Sequence, residues 1–547
     1  MNTMPYTARG LRPIVFATSA GTVFEAYDFI LFGTLTPLIS AQFFSALNET
    51  AAFVFSLLTF AAGYLSRPLG ALLFGSLGDR QGRKRAFVLT LTMMGLATFG
   101  IGLLPTYEQA GILAPILLIS LRLLQGLSFG GEFGGALVYL GEHAPADRRA
   151  FYSSWIQAAA GFALFLAFFV MYVTRTVLGE EAFTEWGWRL PFLISLVLLV
   201  SALWVRWRLE ESPLFRRLAA EGRTSKRPVS EVFSEWPYLR LVLVTLFGLI
   251  LPQAVVFYMA HFYSQYFLIQ ILKLPEVTMG FLMMLVTLIS VPLYLGCGML
   301  ADKVGRKPLQ ITGALLTLVI TVPVFQQFTQ AVNPALAEAS IVAPVLLTSD
   351  SHECSLQFDP VGEADFTSSC DIAKNALTAM GVPYSNARGS PGTLAVIQVG
   401  DSVIQAPDGT MLSEAELAEI KRQFRSELQM LLEKEGYDLN ASQDDDNLLL
   451  VGALLLALVL ASTLLYVPAS VTAIELFPTR IRYTGVSVPY HIGFGWFGGF
   501  LPAIAFAMVA ANGSIYFGLW YPLAAVAIGT LVLLCAVPET RGTALSS

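Results

Sequence analysis

Charge is what this chain has least of. Only 13% of its 547 residues are charged, and it holds four histidines and four cysteines. Set beside 55% hydrophobic residues and a mean hydropathy of +0.64, that scarcity excludes an ordinary soluble globular protein. No histidines and cysteines stand at metal-ligand spacing, no glycine loop between a strand and a helix can cradle phosphate, and no nucleophile sits with a matching base. An enzyme and an ATP-driven pump are disfavoured, and no metal or cofactor is expected.

What is present is a series of apolar runs, many reaching the ~20 residues that cross a ~30 Å hydrocarbon core. They fall at about 13–44, 52–77, 86–105, 111–140, 151–178, 188–207, 238–271, 276–300, 309–328, 447–473, 483–511 and 515–537, twelve in all. Arg9 and Arg12 precede a first run too long for a cleaved signal sequence, so it reads as a retained span.

The net charge of −6 is uneven. Residues 329–446 carry 6 basic and 19 acidic side chains, a balance of −13, and the remainder carries +7. An acidic insert interrupts a mildly basic membrane body. Basic residues crowd alternate connections, including Arg80, Arg83, Lys84, Arg148, Arg149, Arg206, Arg208, Arg216, Lys303, Arg306, Arg480 and Arg482. The short connections between them offer only Lys273. By the positive-inside rule the first set and both termini are cytoplasmic. These loops are orientation charge, not a nucleic-acid footprint.

Two turns organise the chain. Gly75-Ser76-Leu77-Gly78-Asp79-Arg80-Gln81-Gly82-Arg83-Lys84 returns as Gly298-Met299-Leu300-Ala301-Asp302-Lys303-Val304-Gly305-Arg306-Lys307, 223 positions later (298 − 75). Glu142-His143-Ala144-Pro145 with Arg148-Arg149 returns as Glu475-Leu476-Phe477-Pro478 with Arg480 and Arg482, 333 positions later (475 − 142). The two offsets differ by 110 residues (333 − 223), all between the ninth and tenth spans. A duplicated membrane protein with an extracytoplasmic insertion results. Gly78, Asp79, Arg80, Gly82, Arg83, Lys84, Asp302, Gly305 and Arg306 are read as a cytoplasmic gate, Asp79 at a helix N-terminus or paired with a base.

The insert reads as a small α+β unit. A helix is expected over 367–380, strands over 393–399 and 403–410, and a second helix from the capping box Ser413/Glu416 to Gly436. Asp444-Asp445-Asp446 reads as a solvated tether. Cys354 and Cys370 both lie here and can form a disulfide in an oxidising space. Cys297 and Cys535 lie in apolar runs and read as packing thiols.

Ionisable side chains deep in a span are costly and mark function. At ~1.5 Å rise per residue, Glu25, Asp28, Arg67, Arg122 and Glu132 fall near mid-depth, all in the first half. Glu25 and Asp28 are spaced to share one helix face. Arginine keeps its charge and can hold a carboxylate with two bonds. The five sum to −1, short of balance by one proton or cation. Glu25, Asp28 and Glu132 are the candidates for proton coupling; static ion pairing is the alternative, strongest for Arg67 and Glu132. Candidates for substrate contact are Arg67, Arg122, Tyr27, Gln125, Gln157, Gln253, Tyr258 and Tyr490, with His261 and His491 secondary.

These residues resemble the major facilitator superfamily in the twelve spans, the doubled G-x-x-x-D-x-x-G-R-K turn and Arg122-Leu123-Leu124-Gln125-Gly126. Within it, Gly21-Thr22-Val23-Phe24-Glu25-Ala26-Tyr27-Asp28-Phe29, Arg67-Pro68-Leu69-Gly70, Gly130-Gly131-Glu132, Trp186-Gly187-Trp188-Arg189-Leu190-Pro191-Phe192 and Glu211-Ser212-Pro213 look like the metabolite:proton symporter family. The resemblance covers about 1–328 and 447–547; Ala26, where that family more often has Trp, and the insert depart from it.

The resemblance implies alternating access in an all-α membrane protein: twelve transmembrane helices in two six-helix pseudo-symmetric bundles. The divisions expected are 1–207, a linker 208–237, 238–328 with 447–547, and the α+β insert 329–446. The expected function is import of a small organic acid of the citrate, α-ketoglutarate, dicarboxylate or shikimate type with protons across the bacterial inner membrane. The alternatives are a proline/betaine-type zwitterion carrier and a transporter-derived receptor sensing ligand through its external domain. The partners implied are a small-molecule substrate, protons and the lipid bilayer, with no nucleic acid, an external partner of the insert left open, and a monomeric carrier.

Overall fold

Within hydrocarbon no water satisfies the backbone, so each apolar run must close its own hydrogen bonds as a helix. The computed structural model describes residues 8–44, 59, 63–208, 210–350, 352, 354–355, 366–439 and 445–545. Its first six long helices are α1 (Ala8–Phe44), α2 (Arg67–Gln81), α3 (Arg83–Leu103), α4 (Leu113–His143), α5 (Arg149–Leu178) and α6 (Arg189–Trp207). A short connecting helix, α7 (Pro213–Ala220), leads to α8 (Trp236–Ile271), α9 (Glu276–Val304) and α10 (Arg306–Val332). After the insert come α13 (Asp445–Leu476), α14 (Arg482–Asn512) and α15 (Trp520–Ala536). Among the described residues eleven helices are long and apolar enough to cross a membrane. The second expected span, 52–77, lies partly outside the described residues, as does Asp444 of the tether.

Two groups of helices result. α1 packs on α5 and α6, α2 on α4, and α3 on α4 and α6; in the second group α10 and α9 pack on α13, and α8 on α15. Two long seams join the groups, α5 along α9 and α2 along α14. The sequence repeat makes these equivalent: α2 and α9 each precede a glycine-aspartate turn, and α5 and α14 each follow a glutamate signature.

The insert holds β1 (Val345–Ser349), α11 (Ser369–Ala379), β2 (Tyr384–Arg388), β3 (Val396–Val399), β4 (Ser402–Gln405) and α12 (Glu414–Lys434). The sheet order is β2-β1-β3-β4, with β1 parallel to β2 and antiparallel to β3. Val345 and Leu347 are buried in the same hydrophobic cluster as Ile372, Leu377 and Leu428 of the insert. The capping box forms: Ser413 N–H and Oγ both donate to Glu416, at 3.0 and 2.7 Å. Cys354 and Cys370 are joined as a disulfide. β1 and β2 were not expected. β1 is short and follows the helix Pro334–Val342 after only Ala343-Pro344, and β2 (Tyr-Ser-Asn-Ala-Arg) lacks the branched, alternating composition of a strand. Cys535 also departs from the reading above: it is exposed on the outer surface of α15, whereas Cys297 is buried.

The insert is seated on the ends of α8 and α14. Tyr384 N–H donates to Gly513 O at 3.0 Å, and the Asn386 amide to Asn512 O at 2.6 Å. Lys273, in left-handed backbone, donates to Gln270 O at 2.6 Å and Ala379 O at 2.5 Å, tying α11 to α8. Gly513 has φ +95°, and a Cβ there would lie 2.0 Å from Tyr384 O. Gly513→Ala is therefore expected to unseat the insert, costing about 1–3 kcal/mol in thermal unfolding and raising protease cleavage within it; unchanged cleavage would contradict this seat.

Candidate transport site

The first half gathers its charges around α1. Asp28 is buried, and its two carboxylate oxygens accept from the Gln125 amide at 2.8 and 3.0 Å. The same amide reaches Thr98 at 3.1 Å, and Gln125 Oε1 accepts from Arg122 at 3.0 Å. Arg122 lies 3.6 Å from the centre of the Phe32 ring. Gln125 thus stands between carboxylate and guanidinium.

Glu132 is ion-paired with Arg206 and accepts from Thr90 at 2.8 Å. This corrects the reading of Arg206 as a loop charge: it is 1% exposed, packed under Gly21 and over the Phe87 ring. Its position at the end of an apolar run gave it the look of a flanking residue. With Arg206 included, six buried charges sum to zero rather than five to −1.

Glu25 is different. It is 1% exposed, and neither carboxylate oxygen has a hydrogen-bond partner among the described residues. It lies within electrostatic reach of Arg67, Arg206 and Glu132, and of the Tyr466 and Tyr490 phenols in the second half. Arg67 donates to Gly63 O at 3.0 Å and sits between the Tyr64 and Phe129 rings, at 4.7 and 4.0 Å. The Tyr258 hydroxyl lies beside Arg67 and Tyr64. Arg67 therefore belongs to the boundary between the two helix groups.

The second half meets this group with aromatic rings. Tyr490 bonds Tyr466 through the hydroxyls at 3.1 Å and stacks on Phe133 and Phe494, each at 4.4 Å. His491 edges onto Phe129 at 5.7 Å, and His261 stacks on Phe257 at 4.4 Å. Wide π-helical turns interrupt α8 at Met259–Tyr263 and α14 at Gly493–Gly498, a form frequent at functional sites. Gln157 and Gln253 are buried with amides lacking hydrogen-bond partners among the described residues. Tyr27 is not brought to this group: its hydroxyl donates to Pro191 O at 3.0 Å within the first helix group.

The two turns cross the seams. Asp79 accepts from Tyr483 N–H at 3.2 Å, Thr484 N–H at 2.9 Å and Thr484 Oγ1 at 2.8 Å, so it caps α14. Asp302 accepts from Ala150 and Phe151 N–H at 3.0 and 2.8 Å, capping α5. Behind each cap lies a buried glutamate. Glu142 holds Arg83 at 3.4 Å and Arg482 at 2.9 Å, and Glu475 holds Arg306 at 3.3 Å and Arg149 at 2.7 Å. Each glutamate thus receives one arginine from either helix group. Gly82 and Gly305 turn the chain at φ +108° and +114° so that Glu211 and Glu539 can cap α3 and α10. Gly78 leaves room for the Tyr483 ring. Arg149 and Arg482, counted above only as orientation charge, are buried between the two helix groups as Arg83 and Arg306 are, while Arg80 faces solvent and Lys84 reaches Trp207 O at 2.9 Å. Glu539 and Thr540 repeat the roles of Glu211 and Ser212; the signal was the pair Glu-Ser-Pro and Glu-Thr-Arg after the last span of each half.

A family model described as Major Facilitator Superfamily matches residues 18–345, ending where β1 begins. The chain belongs to the Major Facilitator Superfamily. It is 36% identical over 322 residues to the shikimate transporter of Escherichia coli (strain K12), spanning 57% of this chain and 72% of that protein. It is 35% identical over 326 residues to the proline/betaine transporter of the same strain, 58% of this chain and 64% of that one. Among solved structures, the proton:xylose symporter XylE bound to 6-bromo-6-deoxy-D-glucose superposes with a TM-score of 0.63 at 16% identity, covering 99% of this chain and 98% of that one. The human organic anion transporter MFSD10 (TETRAN) superposes at 0.54 and 13%, covering 95% and 99%. This facilitator is a multi-pass secondary transporter, not an enzyme.

Asp79→Ala removes one cap, and Glu142→Ala removes the buried carboxylate shared by Arg83 and Arg482. The first is expected to cost about 1–2 kcal/mol and the second about 3–5 kcal/mol in thermal unfolding. Asp79→Ala should nonetheless insert normally and lose uptake; wild-type uptake in Asp79→Ala would contradict the gate.

Proposed function

We propose that this carrier imports a small organic acid together with protons across the bacterial inner membrane. Its two turns and both termini are cytoplasmic and its insert is periplasmic. Residues 1–207 and the pair 238–328 with 447–547 are the two moving bodies, 208–237 is their linker, and 329–446 is the insert. One observation carries the reading: a neutral-sum group of six buried charges whose members Glu25 and Arg67 face the second half.

A solute carboxylate placed between the bodies meets Arg67 and Tyr258, with Tyr490 and the other rings forming its walls. A guanidinium and a phenol suit that group because each can donate to a carboxylate, the guanidinium through two N–H groups and the phenol through its O–H. Proton entry at Asp28 turns an acceptor of two bonds into a donor. It thereby disturbs the Gln125 amide and, through it, Arg122. Glu25, with no hydrogen bond among the described residues to lose, is the second carboxylate suited to exchange. In the present state the turn face is closed by Asp79 and Asp302; opening requires both caps to release. The shikimate relative supports an acid. Glu25, whose carboxylate has no hydrogen-bond partner among the described residues, supports a second reading, a zwitterion whose cationic end takes the place of the proton, and the proline/betaine relative agrees with it.

Uptake of the substrate into vesicles is expected to collapse with a proton uncoupler and in Asp28→Asn; uptake driven by sodium alone would contradict proton coupling. Arg67→Ala removes a charged donor worth about 1.5–3 kcal/mol, so KM for the carboxylate solute should rise about 10- to 100-fold in the same assay. An unchanged KM would remove Arg67 from the binding site.

A further inference from the structure

The insert contributes nothing to the charges or gates just described, yet it carries a disulfide at the end of its sheet. Cys354 lies five residues beyond the end of β1, and Cys370 lies in the first turn of α11, which precedes β1's parallel neighbour β2. In open α/β sheets the crevice beyond the carboxyl end of a parallel strand, where its neighbours diverge, is the usual place of chemistry. β1 is such a strand, with parallel β2 on one side and antiparallel β3 on the other.

The two sulfurs are not equivalent. Cys370 is 2% exposed, whereas Cys354 is only half-buried. Ser349 Oγ lies 3.4 Å from the Cys370 sulfur and 3.6 Å from that of Cys354. Ser368 caps α11 by accepting from Asp371 N–H at 3.1 Å, and Ser355 is fastened to Asp371 at 2.8 and 2.7 Å, so Cys354 is held against the helix start. The backbone leading into β3 passes the same place: Gly389 N–H donates to Ser349 O at 2.8 Å and Gly392 N–H to Asp350 at 3.0 Å. Residues 391–394 of that segment are exposed.

We infer that the Cys354–Cys370 disulfide is a thiol–disulfide exchange site acting on dithiol proteins outside the cytoplasm. This rests on the orientation proposed above but not on the transported solute. A thiolate of the partner attacks the reachable Cys354 sulfur. The Cys354–Cys370 bond breaks, and its electron pair leaves on Cys370 as a thiolate. That anion is stabilised by the α11 N-terminus and by the Ser349 hydroxyl as donor. The partner's second thiolate then attacks its own sulfur in the mixed disulfide and releases Cys354 as a thiolate. The partner ends oxidised by two electrons, and the insert ends as a dithiol after the two thiolates take up the protons the partner's thiols gave up.

Reduced glutathione added to the intact full-length carrier in nanodiscs, quenched with an alkylating agent and read by peptide mass spectrometry, tests this. Glutathione should appear on Cys354 and the alkyl group on Cys370, with protease cleavage of the insert unchanged and the disulfide re-forming on oxidation. Alkylation of Cys370 should also persist below neutral pH, where an ordinary thiol loses about tenfold in rate per pH unit, and Ser349→Ala should slow it there. Glutathione on Cys370, or reduction only as the insert becomes protease-sensitive, would overturn the site and leave a structural staple. Neither outcome bears on proton-coupled uptake.

Discussion

A buried carboxylate shared between two arginines holds the two halves of this transporter together. Burying an ion costs several kcal/mol unless a partner compensates it, and removing one partner leaves that cost exposed. Glu142 and Glu475 turn this into a connection between bodies, because each draws one arginine from its own helix group and one from the other. The aspartate caps on α14 and α5 add direction: each lets go only when a helix end moves away from its turn. Duplication makes the lock symmetric, so the seams α2–α14 and α5–α9 are the same contact made twice with the roles of the halves exchanged.

The same rule governs the middle of the first half. Arg206 neutralises Glu132, and Gln125 carries the interaction between Arg122 and Asp28, so most buried charge there is already satisfied. What remains unsatisfied is informative. Buried polar groups without hydrogen bonds are uncommon, and here Glu25, Gln157, Gln253 and His491 all retain unused capacity among the described residues. A binding site between moving bodies needs such groups, since they can bond a solute without first breaking a bond of the resting protein.

Much of this was legible in the residues. Long apolar runs, glycine-aspartate turns and glutamate signatures imply helices, a duplication and the extent of the insertion, because hydrophobicity and repeated spacing are local properties. Arg206 was misread because position along a run does not reveal which way a terminal side chain turns; it bends inward beneath Gly21 rather than outward to the headgroups. Arg149 and Arg482 were counted only as topology for the same reason, as loop charge and buried ion pair look alike in sequence. β2 escaped because its stability comes from β1 and from the end of α14, not from its own composition.

Alternating access requires the two halves to move against each other about the buried charges. Electron–electron distances between spin labels test that directly, one pair at exposed Arg80 and Lys303 on the turn face and another at exposed Glu108 and Glu276 on the opposite face. On acidification with substrate present, the first pair should separate as the second closes. Distances that stay fixed at both faces, or that change together in one direction, would contradict it.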